Sequence, residues 1–290
     1  MKKHVLLLAC VLAVSIICGC IDSTTTIAVR KDGSGLVMET VYVDKSVEGM
    51  MKEMMSGMTE AMGAEEKETE TPKGHLDVEK YMAKAAEMGK GVKFVSAKEV
   101  KKEDGSPGTQ IIYSFDDIRE LKVSSEPENP ASESMAGMMP STPDPEEKSA
   151  PITFDFIKGA TSKLIINLPE DEDKDVKTEE PEEISETPDM AMEQMGMLKM
   201  FLGGLRVRAM VKILDGKITK TNASYVEKVE DSQYVTLFDM NMGKLMEMEG
   251  QLEKLGGLDQ IKELSEARKL LKDIPGFKIE TENRIEIDFR

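Results

Sequence analysis

The sequence predicts an α+β fold, with antiparallel sheets built from hairpins, Met-rich amphipathic helices packed on one face, and long acidic disordered loops. Two patterns support this prediction. Several segments alternate apolar and polar residues with a period of two, as half-buried strands do. Others repeat apolar residues every three or four positions, as amphipathic helices do.

The clearest strand pattern covers residues 277–289, where apolar residues alternate with charged ones, and it predicts one long strand with a solvated outer face. Two hairpins are predicted around Asp-Gly turns, one joining 24–30 to 36–43 and one joining 205–214 to 217–226. Further strands are predicted at 92–100, 109–115, 152–158, 162–168 and 233–239.

Helices are predicted at 46–62, 76–89, 188–203 and 258–272. We expect the methionine stripe of 46–62 to pack on the sheet. Gly91-Val92-Lys93-Phe94 resembles Gly276-Phe277-Lys278-Ile279, and each follows a predicted helix. With the two Asp-Gly hairpins, this favours two related halves at about 24–168 and 198–290, although common turn chemistry would give the same pattern.

Aspartates follow the apolar ends of three predicted strands, at Val43-Asp44, Phe115-Asp116 and Phe238-Asp239. Each is expected to cap the helix that follows, because an Asp side chain accepts hydrogen bonds from the free N–H groups of a first helical turn.

Three acidic linkers interrupt the body, at 63–74, 124–150 and 169–187. Their low hydrophobicity and clustered charge cannot offset the entropy lost on ordering, so solvated loops are expected. Alternating acids at 171–175 resemble the oxygen ligands of a calcium loop, but the Gly and Glu of an EF-hand are missing. A solvated tether is the favoured interpretation.

The composition excludes several classes of protein. The 290 residues carry a net charge of −17, which does not fit a nucleic-acid binder that needs a basic surface. There are only three Cys and two His, too few for a disulfide scaffold or a Cys/His metal domain. Methionine is the surplus residue, with 23 copies, and Trp is absent.

The first twenty residues resemble the signal peptide of prokaryotic lipoproteins. Lys2 and Lys3 precede an apolar run that is too short to span a bilayer comfortably, and the run closes in the lipobox Ile17-Cys18-Gly19-Cys20. The resemblance implies that residues 1–19 are removed and that Cys20 becomes the lipid-bearing N-terminus of an extracytoplasmic body, residues 20–290. An ordinary cleaved signal peptide and an uncleaved anchor are the alternatives.

Two consequences follow from that cleavage. A diacylglycerol and acyl chain on Cys20 would hold the protein stably on a membrane, either the cell membrane or an outer membrane. Ile21 rather than an aspartate follows the cysteine, which favours the outer membrane in a host with two membranes. Losing Lys2 and Lys3 and no acid lowers the net charge from −17 to −19.

The body also resembles acidic, Met-rich bacterial lipoproteins to which no activity is assigned. The residues that carry this resemblance are Lys31-Asp32-Gly33-Ser34-Gly35, Glu39-Thr40-Val41, the Met-rich helix and Phe238-Asp239-Met240. It implies a location and a style of fold, and no particular chemistry.

Little in the sequence supports catalysis. His75 is the one histidine left after cleavage and lies in a polar linker, and no nucleophile, zinc or Walker A motif occurs. Met51, Met54, Met55 and Met58 are spaced one helical turn apart and could ligate Cu(I). Core packing or an adaptable apolar surface explains them better, since no His or Cys supports them.

We therefore predict a non-enzymatic, lipid-anchored cell-envelope protein that presents a binding or structural surface. The alternative is a ligand carrier, which would hold an apolar ligand between sheet and helices or Cu(I) through methionines. The expected partner is the membrane, through Cys20. A protein or small-ligand partner is left open, nucleic acid is not expected, and no cofactor is expected besides the lipid.

Overall fold

The computed structural model describes residues 21–44, 76–124, 150–169, 203–246 and 264–290. The predicted linkers and the Met-rich helices at 46–62 and 188–203 lie outside these residues, apart from residues 124, 150, 169 and 203. A large sheet is formed by β1 (Ile21–Val29), β2 (Gly35–Val43), β3 (Lys93–Lys101), β4 (Pro107–Phe115), β7 (Leu205–Ile213), β9 (Val226–Val229), β10 (Ser232–Asn241) and β11 (Phe277–Ile279). A small sheet is formed by β5 (Thr153–Ile157), β6 (Ser162–Asn167), β8 (Ile218–Thr221) and β12 (Arg284–Phe289).

The strands of the large sheet run in the order β11-β10-β7-β1-β2-β4-β3, with β9 also paired to β10, and those of the small sheet in the order β5-β6-β12-β8. Among the described strands, β1 and β7 form the one parallel pair. The described helices are α1 (Val78–Glu87), α2 (Met242–Met246), α3 (Leu264–Lys272) and a 3-10 turn (Ile118–Glu120). The described part is thus mostly antiparallel sheet with few helices, which agrees with the coarse α+β prediction.

The first predicted hairpin is confirmed. Gly33 adopts a positive φ of 90° in the turn, a conformation that glycine reaches without steric cost. Asp32 accepts hydrogen bonds from the backbone N–H of Ser34 at 3.0 Å and from its hydroxyl at 2.7 Å. Gly35 lies so close to β1 that an added Cβ would come within 2.0 Å of the Ala28 carbonyl oxygen. The sequence Asp-Gly-Ser-Gly therefore satisfies both the turn and the close approach of its strands.

The second predicted hairpin, 205–226, is wrong. Strand β7 pairs with β1 and β10 in the large sheet, whereas β8 pairs with β12 in the small one. Asp215-Gly216 carries the chain from one sheet to the other, and Lys217 and Arg290 then exchange two backbone hydrogen bonds of 2.9 and 3.1 Å. Gly216 does not adopt a positive φ, which a tight Asp-Gly hairpin turn requires at this position.

The single strand predicted at 277–289 is also wrong. The chain leaves the large sheet after β11, crosses at 280–283 and enters the small sheet as β12. The alternation continues across the break because Ile279 and Ile285 both face the interior, although they belong to different sheets. Glu280, predicted on the solvated face, is instead fully buried at the crossing.

The two sheets pack face to face around one apolar core. The large sheet contributes side chains such as Ile27, Tyr113 and Val211, and the small sheet contributes side chains such as Leu164 and Phe289. Burial of these side chains is the main source of stability, at about 25 cal/mol for each Å² of apolar surface removed from water.

Helices complete the covered face of the large sheet. Tyr81 of α1 stacks on Phe94 with ring centroids 5.9 Å apart, and Ala85 and Met88 of the same segment join the core. At the other side, α2 and α3 contribute to a second cluster that contains Leu245, Ile274 and Phe277. The described helices and the small sheet thus lie on one face, and we call the opposite face of the large sheet its outer face.

Candidate functional site

Cys20, the predicted lipidation site, lies just outside the described residues, and the residue after it begins the sheet. Ile21 is the first residue of β1, a strand that lies between β2 and β7 inside the large sheet. The backbone N–H of Ile21 donates to the carbonyl oxygen of Gly204 at 3.0 Å. The predicted anchor is therefore followed by ordered sheet with no intervening linker.

One edge of the large sheet gathers the residues that border several undescribed segments. Ile21 pairs with Val43 at the end of β2 and with Leu205 at the start of β7. Helix α2 starts beside them, because a Cβ on Gly243 would come within 2.4 Å of the Gly203 carbonyl oxygen. We call this the Cys20 edge and define it by the residues at this end of the strands and in the adjoining turns. They are Ile21, Asp22, Val43, Asp44, residues 101–104 of the β3–β4 turn, Gly203, Gly204, Leu205, Asn241, Gly243 and Lys244.

The methionines are concentrated in the segments that join the Cys20 edge. Of the 23 methionines, six lie in 46–62, which follows β2, and five in 188–203, which precedes β7. The candidate Cu(I) ligands Met51, Met54, Met55 and Met58 lie outside the described residues, as does His75. Within the described ranges, no group of three or more His, Cys, Asp or Glu side chains could hold a metal ion.

A cluster of ion pairs lies on the outer face next to this edge. Asp22, with 5% of its surface exposed, accepts from Lys102 Nζ at 2.9 Å and from Arg208 Nη2 at 3.2 Å. Burial alone would raise the pKa of Asp22, but the Lys102 hydrogen bond and the charges of Arg208 and Lys102 outweigh it. The net result is a pKa below the ordinary value. Asp22 is therefore held as a carboxylate.

Arg206 and Asp239 form a second, bidentate pair on the same face. The distances are 2.9 Å from Nε to Oδ1 and 2.7 Å from Nη2 to Oδ2. The hydrogen bond to Asp239 raises the pKa of Arg206, so the guanidinium stays charged. The prediction that Asp239 ends a strand and caps a helix is wrong, because Asp239 lies inside β10. Asn241 takes the capping role, accepting from the N–H of Lys244 at 3.1 Å.

A shallow depression of about 270 Å³ opens beside this pair. The side chain of Lys278 on its wall contacts Glu227 of β9. The charged groups of the outer face are thus largely committed to one another, and they bind strands together across the sheet. The lining residues of the depression are Arg206, Asp239, Asn241, Lys244, Gly276, Phe277 and Lys278.

Glu280 is a fully buried carboxyl group where the chain crosses from β11 in the large sheet to β12 in the small one. Its Oε1 accepts from the backbone N–H of Ser224 at 2.6 Å and of Tyr225 at 3.0 Å. No described residue hydrogen-bonds to its Oε2. Burial raises the pKa of Glu280, and the two hydrogen bonds offset that only in part. Sequence alternation placed this residue in solvent, so reasoning from sequence missed it.

No protein-family model, curated protein or solved structure matches this chain. In the part of the chain that is described, no helix has the length and apolar character needed to cross a bilayer.

Proposed function

We propose that the protein is a lipid-anchored, extracytoplasmic lipoprotein of the cell envelope, held on its membrane through Cys20. The observation that carries the proposal is the lipobox Ile17-Cys18-Gly19-Cys20 at the end of a short apolar run behind Lys2 and Lys3. The structural setting is compatible with it. Since β1 begins at Ile21, cleavage before Cys20 would leave every described strand intact.

Metabolic labelling with an alkyne fatty acid tests the anchor. The wild-type protein is expected to incorporate the label and to enter the detergent phase on partitioning. Cys20→Ser should lose the label, because the serine offers no thiol for the thioether. Cys18→Ser, a matched change two residues earlier, should keep it. Label retained by Cys20→Ser, or absent from the wild type, would refute the proposal.

The body is proposed to act as a non-enzymatic binding or structural surface. Two features support this role. The outer-face carboxylates Asp22 and Asp239 each have a cationic partner. The space between the sheets is filled by residues such as Ile27 and Phe289, both fully buried. A screen with generic ester, phosphoester, peptide and glycoside substrates is expected to give no turnover. Turnover that copurifies with the protein and is absent from mock preparations would contradict this role.

We further propose that 46–62 and 188–203 are amphipathic helices, and that 46–62 covers the outer face. A strip of half-buried apolar side chains around Thr26 supports this assignment. The strip lies on the outer face, whereas the small sheet packs on the other face. Covering such a strip would remove apolar surface from water. The strip consists of Leu36, Met38, Ile112 and Met210.

Engineered disulfides can test this packing, because the mature chain keeps no thiol except Cys20. In a Cys20→Ser background, Met54→Cys is expected to cross-link with Met210→Cys under mild oxidation. It should not cross-link with Ile157→Cys, because Ile157 lies on the small sheet and is 58% exposed. The opposite pattern would place 46–62 elsewhere.

A further inference from the structure

We propose that the Cys20 edge faces the bilayer at the level of the lipid headgroups, so that β1 runs away from the membrane. This inference rests on the proposed lipidation of Cys20 and adds an orientation, with the membrane surface as the partner of a defined part of the fold.

The first step of the argument is the length of the tether. A chain spans at most about 3.3–3.6 Å per residue, and no residue separates Cys20 from β1. The N–H of Ile21 is already hydrogen-bonded to Gly204 at 3.0 Å, so the strand cannot fray without breaking its pairing. A diacylglycerol on Cys20 would therefore keep Ile21 within a residue's length of the headgroups.

The second step is that the rest of the edge must follow Ile21. Val43 and Leu205 are its direct partners on the two neighbouring strands. The 203–204 turn contacts Ile21 through the carbonyl oxygen of Gly204, and the start of α2 lies against this turn at Gly243. Because nine residues of β1 extend up to about 30 Å and pair on both sides, the β1–β2 turn at Lys31 is carried to the far end of the sheet.

The third step is the chemistry of the edge. The side chains of Val43 and Leu205 are apolar and half-buried there. Apolar side chains that lie at a membrane surface favour the headgroup–acyl boundary.

The charge of the edge fits the same partner. The charged residues at and beside this edge sum to zero, whereas the whole chain carries a net charge of −17. Two of the acids are paired, Asp22 with Arg208 and Asp239 with Arg206. An electrically balanced edge meets less repulsion from anionic headgroups than the acidic remainder of the chain would. Lys102 is the second partner of Asp22, and the remaining charges at this edge are Lys101 and Lys244 against Asp44, Glu103 and Asp104.

The absence of Trp from the chain allows a clean fluorescence test. Single Trp variants of the lipidated, full-length protein are placed in phosphatidylcholine vesicles that carry a nitroxide on the headgroup. Lys244→Trp and Lys101→Trp report on two separated points of the edge, and Lys31→Trp reports on the far turn. All three positions are exposed. We expect at least threefold stronger quenching for the two edge positions than for Lys31→Trp.

Equal quenching at Lys31→Trp and Lys244→Trp would overturn the orientation, as would quenching at Lys101→Trp no stronger than at Lys31→Trp. Vesicle flotation separates this failure from that of the anchor. A protein that floats with vesicles but shows no edge preference refutes the orientation alone. A protein that does not float although it is correctly processed refutes the lipid anchor on which the orientation rests.

Discussion

Lys102 and Asp22, 80 residues apart in sequence, meet at 2.9 Å and join the β3–β4 turn to the first strand of the large sheet. Arg208 reaches the other carboxylate oxygen of Asp22 at 3.2 Å. One nearly buried acid thus links β1, β7 and the β3–β4 turn, and its ionisation is coupled to the stability of the sheet.

Acid should destabilise the protein partly through Asp22. The folded pKa of this carboxyl is lowered, so its contribution is fully present above an unfolded pKa of about 3.9. That contribution is lost as the pH falls through the folded pKa. Asp22→Asn should lower the free energy of unfolding at pH 7 by about 1–3 kcal/mol. It should also flatten the acid-induced loss below about pH 4. Urea unfolding across pH measures both effects.

Glu103→Gln is the matched control for Asp22→Asn, because it removes an exposed acid from the same β3–β4 turn. It should leave the stability and its pH profile near those of the wild type. An Asp22→Asn profile that overlays the wild type below pH 4 would show that Asp22 does not couple folding to pH.

Arg206 and Asp239 should show a measurable coupling energy. A double-mutant cycle with Arg206→Met and Asp239→Asn is expected to give about 1–2 kcal/mol, because the bidentate geometry is favourable but the arginine is partly exposed. Chemical denaturation of the four proteins provides the cycle. The exposed pair Lys93–Asp116 is the control and should show no coupling above experimental error. Equal couplings for the two pairs would contradict the prediction.

Glu280 should oppose Asp22 in its dependence on pH. Its folded pKa is raised by burial, so the folded state holds the proton more tightly and loses stability as the pH rises from about 4.3 through the folded pKa. Glu280→Gln keeps an oxygen for the N–H groups of Ser224 and Tyr225 and removes this loss. It should be at least as stable as the wild type at pH 7.

Glu280→Ala provides the contrast, since it leaves both N–H groups without an acceptor. We expect it to lower the free energy of unfolding by about 2–4 kcal/mol. Thermal or urea unfolding at pH 5 and pH 8 distinguishes the variants. A Gln variant that is less stable than the wild type at pH 8 but not at pH 5 would reverse the assigned sign.

Gly243→Ala should destabilise the protein although alanine is the better helix former. An added Cβ would lie 2.4 Å from the backbone carbonyl oxygen of Gly203, and backbone cannot move aside as a flexible side chain can. We expect a loss of about 1–3 kcal/mol, against a helix-propensity gain of up to about 1 kcal/mol. The melting temperature reports the balance, and Lys244→Ala in the same helix should change it little. An unchanged melting temperature for Gly243→Ala would show that α2 does not approach the 203–204 turn so closely.

The sequence predicts the strands of this protein better than their partners. Alternation records whether a side chain faces the interior, and Ile279 and Ile285 both do, although they lie in different sheets. Asp215-Gly216 marks a real turn in the same way, but a turn signal does not say whether the next strand returns to the same sheet. The missing information is the long-range pairing of β12 with β6 and β8, which local patterns do not contain.

The candidate site shows the same difference between local and long-range information. The proposed lipobox is a local motif of four consecutive residues, Ile17-Cys18-Gly19-Cys20, so it can be read from sequence. Asp22, Lys102 and Arg208 are brought together by sheet register, and spacing along the chain cannot reveal them. A weaker signal did exist: Arg206 and Arg208 alternate with apolar residues in one strand, which predicts that the two cations share one face of the sheet.

The parallel pairing of β1 with β7 also constrains the order of assembly. Ile21 pairs with Leu205, so the interior of the large sheet cannot close until more than two thirds of the chain has been synthesised. Closing so long a loop slows folding relative to local hairpins. If the chain is exported from its amino terminus, β1 has one side unpaired until β7 emerges. Chaperones that act during export would then bind the first hairpin. Mutations that delay the pairing of β7 with β1 would lower the yield of folded protein without altering the stability of the folded state.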